Sequence, residues 1–188
     1  FSLSLAAYAL CRTQKAQNAV LLVFSLVFYA WGEPKYVLLL MFMAFTSWLC
    51  ALGVERAETK KGKISWVWAS AIIDIALIGY YKYAGLICSI FGEVPAFIAN
   101  IALPIGISFY TFQALSYCVD VYRGKTQLQK NFVSFGLYLS FFPQLIAGPI
   151  VTHDEMLPQF KEIGTKRFDE DNFCRGLFIF ILGMGKKV

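Results

Sequence analysis

The chain has 188 residues, of which 58% are hydrophobic and 15% are charged. Soluble domains average roughly 45–50% apolar and about 25% charged residues, and a globule of this size has too little interior to hide the excess, so a disordered, collagen-like or soluble globular protein is excluded. The net charge of +5 comes from 17 basic and 12 acidic residues. The basic residues lie in short gaps between apolar runs, which favours membrane orientation over nucleic-acid binding.

Four apolar runs predict membrane helices in the first half of the chain: residues 1–11, 19–32, 36–54 and 64–92. The second run is slightly short of the ~20 residues that a crossing helix needs, so we expect it to span together with its flanks. Glu33-Pro34 predicts a tight turn, because proline stops the preceding helix and can begin the next. The last run contains Asp74 and Lys82, which are functional candidates because ionisable groups are costly inside a membrane. Structural pairing with other helices is the alternative for both.

The next apolar run, residues 94–119, is followed by a basic loop at residues 123–130. Helical spacing puts a set of polar side chains on one face here: Tyr110, Gln113, Ser116, Tyr117 and Asp120. A polar stripe inside a span avoids lipid, so it predicts either hydrogen bonds between helices or the lining of a substrate path. Arg123 lies three residues after Asp120, and the two are expected to pair at the mouth of that path.

Residues 131–152 are uncharged but are interrupted by Pro143, Gly148 and Pro149. From residue 131 to residue 142 a helix measures about 18 Å, well short of a ~30 Å hydrocarbon core. We therefore predict a helix that ends within the membrane, a turn, and a return of residues 152–172 to the cytoplasmic interface. Gln144 is the nearest polar partner for the freed carbonyls and a further path candidate. An ordinary kinked span is the alternative. A final apolar run covers residues 173–185.

The sidedness of the chain follows from its Lys and Arg residues. The gaps at 12–18, 55–63 and 123–130 carry 2, 4 and 3 of them, whereas those at 33–35 and 93–104 carry one and none. If successive apolar runs cross the membrane in opposite directions, the first three gaps lie on one side and the other two lie on the opposite side. Cytoplasmic loops are enriched in Lys and Arg. We therefore expect the basic loops in the cytoplasm.

No residue pattern predicts a catalytic or metal site. The five cysteines are Cys11, Cys50, Cys88, Cys118 and Cys174, and they show no metal-ligand spacing and no disulfide framework. His153 is the only histidine, and no HExxH, GxSxG or P-loop motif accompanies it. We interpret His153 as a histidine of an interfacial loop rather than as a general base.

Two long motifs carry a resemblance to a known family: LPIGISFYTFQALSYCVDVYRG at residues 103–124 and NFVSFGLYLSFFPQLIAGPIV at residues 131–151. They resemble the membrane-bound O-acyltransferase (MBOAT) family, and within it the alginate O-acetyltransferase group. SLVFYAWGEPKY at residues 25–36 and the run Tyr81-Lys82-Tyr83 also fit that group. Thr152 departs from the pattern, because relatives usually carry arginine directly after GPIV.

The resemblance implies a ring of tilted helices around a thin central region. A protein of this fold is expected to carry acyl groups across the membrane to an acceptor on the outside. It also implies a catalytic histidine in a later Trp-His-Gly segment. His153 does not match that segment, so no catalytic residue is transferred to this chain. The implied mechanism is general-base activation of an acceptor hydroxyl, which then attacks an acyl thioester or ester.

The sequence therefore predicts an all-α, polytopic protein of the inner membrane, with residues 1–188 as the incomplete N-terminal part of one MBOAT domain. The implied partners are the lipid bilayer, an acyl donor as co-substrate, a polysaccharide acceptor such as alginate, and other proteins of the acetylation machinery. No bound cofactor, metal or nucleic acid is expected, and the fragment alone is expected to be inactive. The alternatives are D-alanyl transfer, peptidoglycan O-acetylation, and a transporter or channel subunit, because broken helices also mark transport paths.

Overall fold

The computed structural model describes residues 2–11, 13–92, 95, 98, 101–145, 148, 151–156 and 170–187. Regular structure among these residues is helical, as the sequence predicts. The helices are α1 (Ser2–Leu10), α2 (Gln14–Gly32), α3 (Val37–Arg56), α4 (Lys60–Ile78), α5 (Ala84–Phe91), α6 (Ile107–Tyr122), α7 (Phe132–Ser140), α8 (Phe142–Leu145) and α9 (Glu170–Lys187). Two continuous helical stretches, Pro34–Arg56 and Lys60–Ile90, are long and apolar enough to cross a bilayer.

The predicted basic gaps are shorter in the structure than in the sequence pattern. α2 begins at Gln14, inside the gap predicted at 12–18. α4 begins at Lys60, so only three residues separate it from α3. The reason is the cap at Thr59, whose hydroxyl accepts a hydrogen bond from the Gly62 amide at 3.1 Å. A threonine cap satisfies a free amide of the first turn, which lets the charged residues join the helix.

The core lies where α3, α4, α6 and α7 pack together. Its fully buried side chains are mostly apolar or aromatic and include Leu40, Met43, Val54, Ile107, Tyr110, Tyr117, Phe135, Leu137 and Leu139. α3 and α4 approach closely because Gly53 has no side chain: a Cβ there would lie 2.3 Å from the Trp66 indole. The described side chains of α9 are exposed along the helix.

Hydrogen bonds fix which loops share an end of the bundle. At one end, the Trp48 indole in the second half of α3 donates to the Gln129 carbonyl at 2.9 Å. The 123–131 loop therefore packs against the half of α3 that leads to the loop at 57–59. At the other end, the turn after α2 meets the segment before α6, because the Ile105 amide donates to Glu33 Oε2 at 2.8 Å. This grouping is the one that the Lys and Arg distribution predicts, while the side that faces the cytoplasm stays a prediction.

The element predicted to break does so, but earlier than its prolines suggest. α7 ends at Ser140, and Phe141 leaves the helix with φ −56° and ψ 109°. Pro143 then lies in the first turn of α8, where its missing amide costs no hydrogen bond. Its ring would clash with the preceding turn of a continuous helix, so the chain leaves the helix two residues before it. α7 alone is about 13 Å long, too short to cross.

The chain turns back after α8. A Cβ on Gly106 would lie 2.9 Å from the Leu145 carbonyl oxygen, so α8 reaches the level at which α6 begins. His153, eight residues after Leu145, is bonded to Thr126 in the loop that follows α6. The return predicted for this segment is therefore present, and the kinked span that would put His153 at the opposite end is not. Residues 146, 147, 149, 150 and 157–169, which belong to the same prediction, lie outside the described part of the chain.

Candidate functional site

The polar stripe of α6 is only partly buried. Tyr110, Gln113 and Tyr117 lie in the interior, at 0%, 7% and 1% exposure. Ser116 is exposed and Asp120 is half-buried. At about 100° per residue, Ser116 lies roughly 120° around the helix from Tyr110, which takes it off the packed face. The expectation that all five side chains face the interior is therefore wrong for Ser116.

Gln113 and Tyr117 form hydrogen bonds with backbone groups that have no partner within a helix. Gln113 Nε2 donates to the carbonyl of Tyr138 at 3.2 Å. That carbonyl belongs to the last turn of α7, where carbonyls lack an intrahelical partner. The hydroxyl of Tyr117 accepts from the Gln129 amide at 2.8 Å. The buried half of the stripe thus satisfies polar groups beside the break and in the 123–131 loop.

Beyond Tyr117 the stripe leads to a pocket that holds His153. The imidazole is 4% exposed. Its ring lies 4.8 Å from that of Tyr117 and 5.1 Å from that of Tyr138, with an edge-on arrangement to the latter. The Tyr138 hydroxyl donates to the Val151 carbonyl at 3.2 Å, which fixes the segment that carries His153. Two tyrosines from α6 and α7 therefore form the walls of the pocket.

The hydrogen bonds of Thr126 define the tautomer of His153. The Thr126 hydroxyl donates its single proton to Asp154 Oδ1. The same oxygen lies 3.1 Å from His153 Nδ1, so it accepts there and Nδ1 carries the proton. In the neutral imidazole Nε2 is then the basic nitrogen. Thr126 therefore orients the buried imidazole of His153, and Asp154 in turn orients the hydroxyl of Thr126.

His153 is buried and begins a short helical turn at residues 153–156 rather than lying in an open loop, while its interpretation as an interfacial residue and not a general base stays a prediction. The sequence contains one histidine, and no catalytic or metal-ligand spacing surrounds it. Its partners Tyr117, Thr126 and Tyr138 are separated from it by 15 to 36 residues, and only the return after α8 brings them together. Pro143 and Pro149 predict that return, but no pattern in the sequence identifies Thr126 and Tyr138 as its destination.

The other predicted path residues lie apart from this pocket. Asp120 Oδ2 accepts from the Ser116 hydroxyl at 3.3 Å. The expected ion pair between Asp120 and Arg123 does not form within the described part of the chain, where Arg123 is exposed at the C-cap of α6. Gln144 is half-buried in α8. The Phe142 amide, freed by the break, donates to the Ser25 hydroxyl of α2 at 3.3 Å, a partner that the sequence did not predict.

Asp74 and Lys82 have different environments. Asp74 is 1% exposed, and its Oδ2 accepts from the Ser70 hydroxyl at 3.3 Å. Its Oδ1 has no hydrogen-bond partner among the described residues. Lys82 is exposed, and its ammonium donates to the Ser108 hydroxyl at 3.4 Å, near the start of α6. The described residues contain no cluster of three or more His, Cys, Asp or Glu side chains that could hold a metal ion.

Sequence comparison finds curated relatives that cover nearly the whole chain. A probable alginate O-acetylase AlgI of Pseudomonas aeruginosa is 35% identical over 184 residues, which are 93% of this chain and 35% of that protein. The corresponding protein of Pseudomonas putida is also 35% identical, over 93% of this chain and 37% of that protein. A peptidoglycan O-acetyltransferase of Helicobacter pylori is 32% identical, over 89% of this chain and 37% of that protein.

The chain thus spans about a third of the length of the curated relatives that it matches. No family model matches it, and no solved structure does. The names of these relatives, alginate O-acetylase and peptidoglycan O-acetyltransferase, agree with the resemblance that the sequence motifs carry.

Proposed function

We propose that this chain is part of an O-acetyltransferase of the MBOAT family that modifies a polysaccharide of the cell envelope. The observation that carries the proposal is the 35% identity, over 93% of the chain, to alginate O-acetylases. The apolar helices and the buried part of the polar stripe of α6 agree with this proposal, because a membrane enzyme needs buried polar groups along its substrate path. Peptidoglycan is the second candidate acceptor, because the Helicobacter relative is named a peptidoglycan O-acetyltransferase.

The proposed reaction transfers an acetyl group from a thioester or ester donor to a hydroxyl of the polymer. A general base takes the hydroxyl proton while the oxygen attacks the acyl carbon, the new ester forms, and the donor leaves as a thiol or alcohol. The family resemblance assigns the base to a Trp-His-Gly segment, and residues 1–188 contain no such motif. In this scheme, the chain described here provides the walls of the path and its entrance.

The entrance for the donor is proposed at the end of the bundle that holds the His153 pocket. The pocket lies where the stripe of α6 meets the 123–131 loop, which is the end that the positive-inside rule assigns to the cytoplasm. A donor made in the cytoplasm would meet this end first. The acceptor polysaccharide and the other proteins of the acetylation machinery would then act at the opposite end, where Glu33 contacts Ile105. The protein would lie in the inner membrane as a multi-pass chain.

A deletion strain tests the function. We expect cells that lack the full-length gene to secrete polymer of normal amount and length with little O-acetyl ester, and the intact gene to restore the ester. Both the exported polysaccharide and the peptidoglycan should be assayed for base-labile acetate, which assigns the acceptor. A strain that secretes normally acetylated polymers of both kinds would contradict the proposal. Loss of secretion with normal acetylation of the polymer that remains in the cell would favour the transport alternative.

A further inference from the structure

We infer that a cavity beside Lys82 binds a carboxylated sugar unit of the acceptor polysaccharide; the inference rests on the proposed function and names an acceptor subsite for it. The cavity has a volume of about 280 Å³ and lies between the helical turn at 80–85 and the segment before α6. Small-molecule sites begin near ~300 Å³, so its size suits one monosaccharide unit of a longer chain. Tyr80, Tyr81, Lys82 and Gly85 line one side of it, and Leu103 lines the other.

Lys82 brings an uncompensated positive charge to this cavity. Its ammonium donates to the neutral Ser108 hydroxyl at 3.4 Å and lies 5.4 Å from the centre of the Tyr83 ring. In the described part of the chain no carboxylate pairs with it. Lys82 is exposed and lines the cavity, so its ammonium is available to an anion that enters it.

The backbone around Lys82 departs from α-helical geometry. Residues Gly79–Tyr83 form a π-helical turn between α4 and α5. Such single turns are rare and occur frequently at functional sites, because the wider turn changes the direction of the side chains that it carries. Here the wider turn coincides with Lys82 and with its neighbours Tyr80 and Tyr81.

The tyrosines give the cavity a wall that suits a sugar ring. Tyr80 and Tyr81 stand edge to face, with ring centres 5.1 Å apart, and Tyr80 is 49% exposed. Tyr81 is also held edge to face by Tyr36 at 5.7 Å, and the Tyr36 hydroxyl donates to the Ala102 carbonyl at 2.7 Å. Aromatic faces pack against C–H groups while phenolic hydroxyls bond polar ones. A lipid phosphate could satisfy the charge, but it would make no use of this ordered aromatic wall.

The position of the cavity agrees with an acceptor site. Lys82 lies beside Ser108, and Tyr36 bonds Ala102, so the cavity is at the end of the bundle where Glu33 meets Ile105. This end carries few basic residues and is the one predicted to face outward. An exported anionic polymer would reach it without crossing the membrane again.

Binding to the full-length protein, in nanodiscs of zwitterionic phosphatidylcholine, tests the inference. The probe is an unacetylated hexasaccharide of mannuronic acid, titrated by calorimetry, with neutral maltohexaose as the uncharged comparison. We expect Lys82→Met to weaken binding of the uronate probe by about tenfold or more, because a hydrogen bond to a charged group is lost. Lys82→Arg should retain most of the affinity. Lys35→Met is the matched control, since Lys35 is an exposed lysine at the same end that does not line the cavity.

A steric variant tests the cavity independently of charge. A Cβ at Gly85 meets no atom within 4 Å, so Gly85→Ala should bind normally and Gly85→Trp should fill the space and abolish binding. No binding by the wild type, or equal losses in the Lys82 and Lys35 variants, would overturn the inference. So would a Lys82→Met variant that binds the probe normally but loses phosphatidylglycerol in native mass spectrometry, which would identify a lipid site.

Polymer acetylation in the deletion strain separates this inference from the proposed function. If the intact gene restores the O-acetyl ester and Lys82→Met leaves the binding constant unchanged, the acceptor subsite is wrong and the function stands. If binding depends on Lys82 and Gly85 but the deletion strain still secretes normally acetylated polymers of both kinds, the subsite stands and the function is wrong.

Discussion

At the scale of single residues, the hydroxyl of Thr126 joins two segments that lie 27 residues apart in the chain. It donates to Asp154 and accepts from His153, so one small side chain fastens the end of the return after α8 to the loop that follows α6. Removing this buried hydroxyl is costly because buried His153 then loses this bond away from water, whereas exposed Asp154 can bond to solvent instead.

Substitutions of His153 test whether the hydrogen bond at its Nδ1 contributes to stability. His153→Asn keeps an amide donor near the position of Nδ1 and should retain most of the thermal stability. The longer side chain of His153→Gln extends past that position, so this variant should be less stable than His153→Asn. His153→Ala loses the bond and both tyrosine contacts, and we expect it to cost about 1–3 kcal/mol. Thermal unfolding of the detergent-solubilised protein measures this. An alanine variant as stable as the wild type would show that the pocket contributes no stability.

Gly106 is required by both its conformation and its surroundings. Its φ is +77°, and a Cβ would lie 2.9 Å from the Leu145 carbonyl. Left-handed backbone costs other residues about 1–2 kcal/mol, and the clash adds to it. We expect Gly106→Ala to lower the unfolding temperature clearly. Gly79→Ala is the control, because its Cβ would meet no atom within 4 Å and its backbone is helical, so that variant should be neutral or slightly stabilising.

At the scale of elements, the break between α7 and α8 is supported from two neighbouring helices. α6 provides Gln113 to the Tyr138 carbonyl, and α2 provides Ser25 to the Phe142 amide. Backbone groups released inside a membrane must be satisfied by protein, and here side chains do so. The sequence predicts the break because proline chemistry is local. It could not predict these partners, because they depend on how α2 and α6 pack against the broken element.

Gln113→Leu tests this support. The change keeps the volume but removes the donor to Tyr138, and intramembrane hydrogen bonds average about 0.6 kcal/mol, so a modest loss of stability is expected. Phe112→Leu, on the exposed face of the same helix, is the control and should have little effect on stability. If Gln113→Leu leaves stability unchanged but reduces acetylation in cells, Gln113 contributes to the path instead.

The polar stripe of α6 shows where sequence periodicity is insufficient. Spacing alone placed five residues together, but the packed face is centred on Tyr110, Ala114 and Tyr117, and Ser116 falls outside it. A stripe of five polar positions covers a wide arc of a helix, and only the neighbouring helices decide which part of that arc is buried. The apolar pattern that predicts a helix therefore does not predict its orientation within the bundle.

At the scale of the whole molecule, the bundle has two distinct ends, and cysteine accessibility can assign them to the two sides of the membrane. On a cysteine-free background, Lys60→Cys, Gln127→Cys and Glu155→Cys should react with an impermeant maleimide only after permeabilisation. Lys35→Cys should react in intact cells. The physical reason is the nine-to-one distribution of Lys and Arg between the two sets of gaps. Labelling of position 60 in intact cells would reverse the assignment.

The bond between Ser25 and the Phe142 amide also has a consequence in time. The two residues are 117 positions apart in the chain. At synthesis rates of 5–20 residues per second, α2 waits about 6 to 23 s for this partner. During that interval the Ser25 hydroxyl lies in an apolar environment, where the carbonyl one turn earlier in its own helix is the nearest acceptor. Once the broken element is made, its Phe142 amide donates to the Ser25 oxygen, while the Ser25 proton can keep its acceptor within α2. A residue of α2 thus waits for a donor that is made 117 residues later.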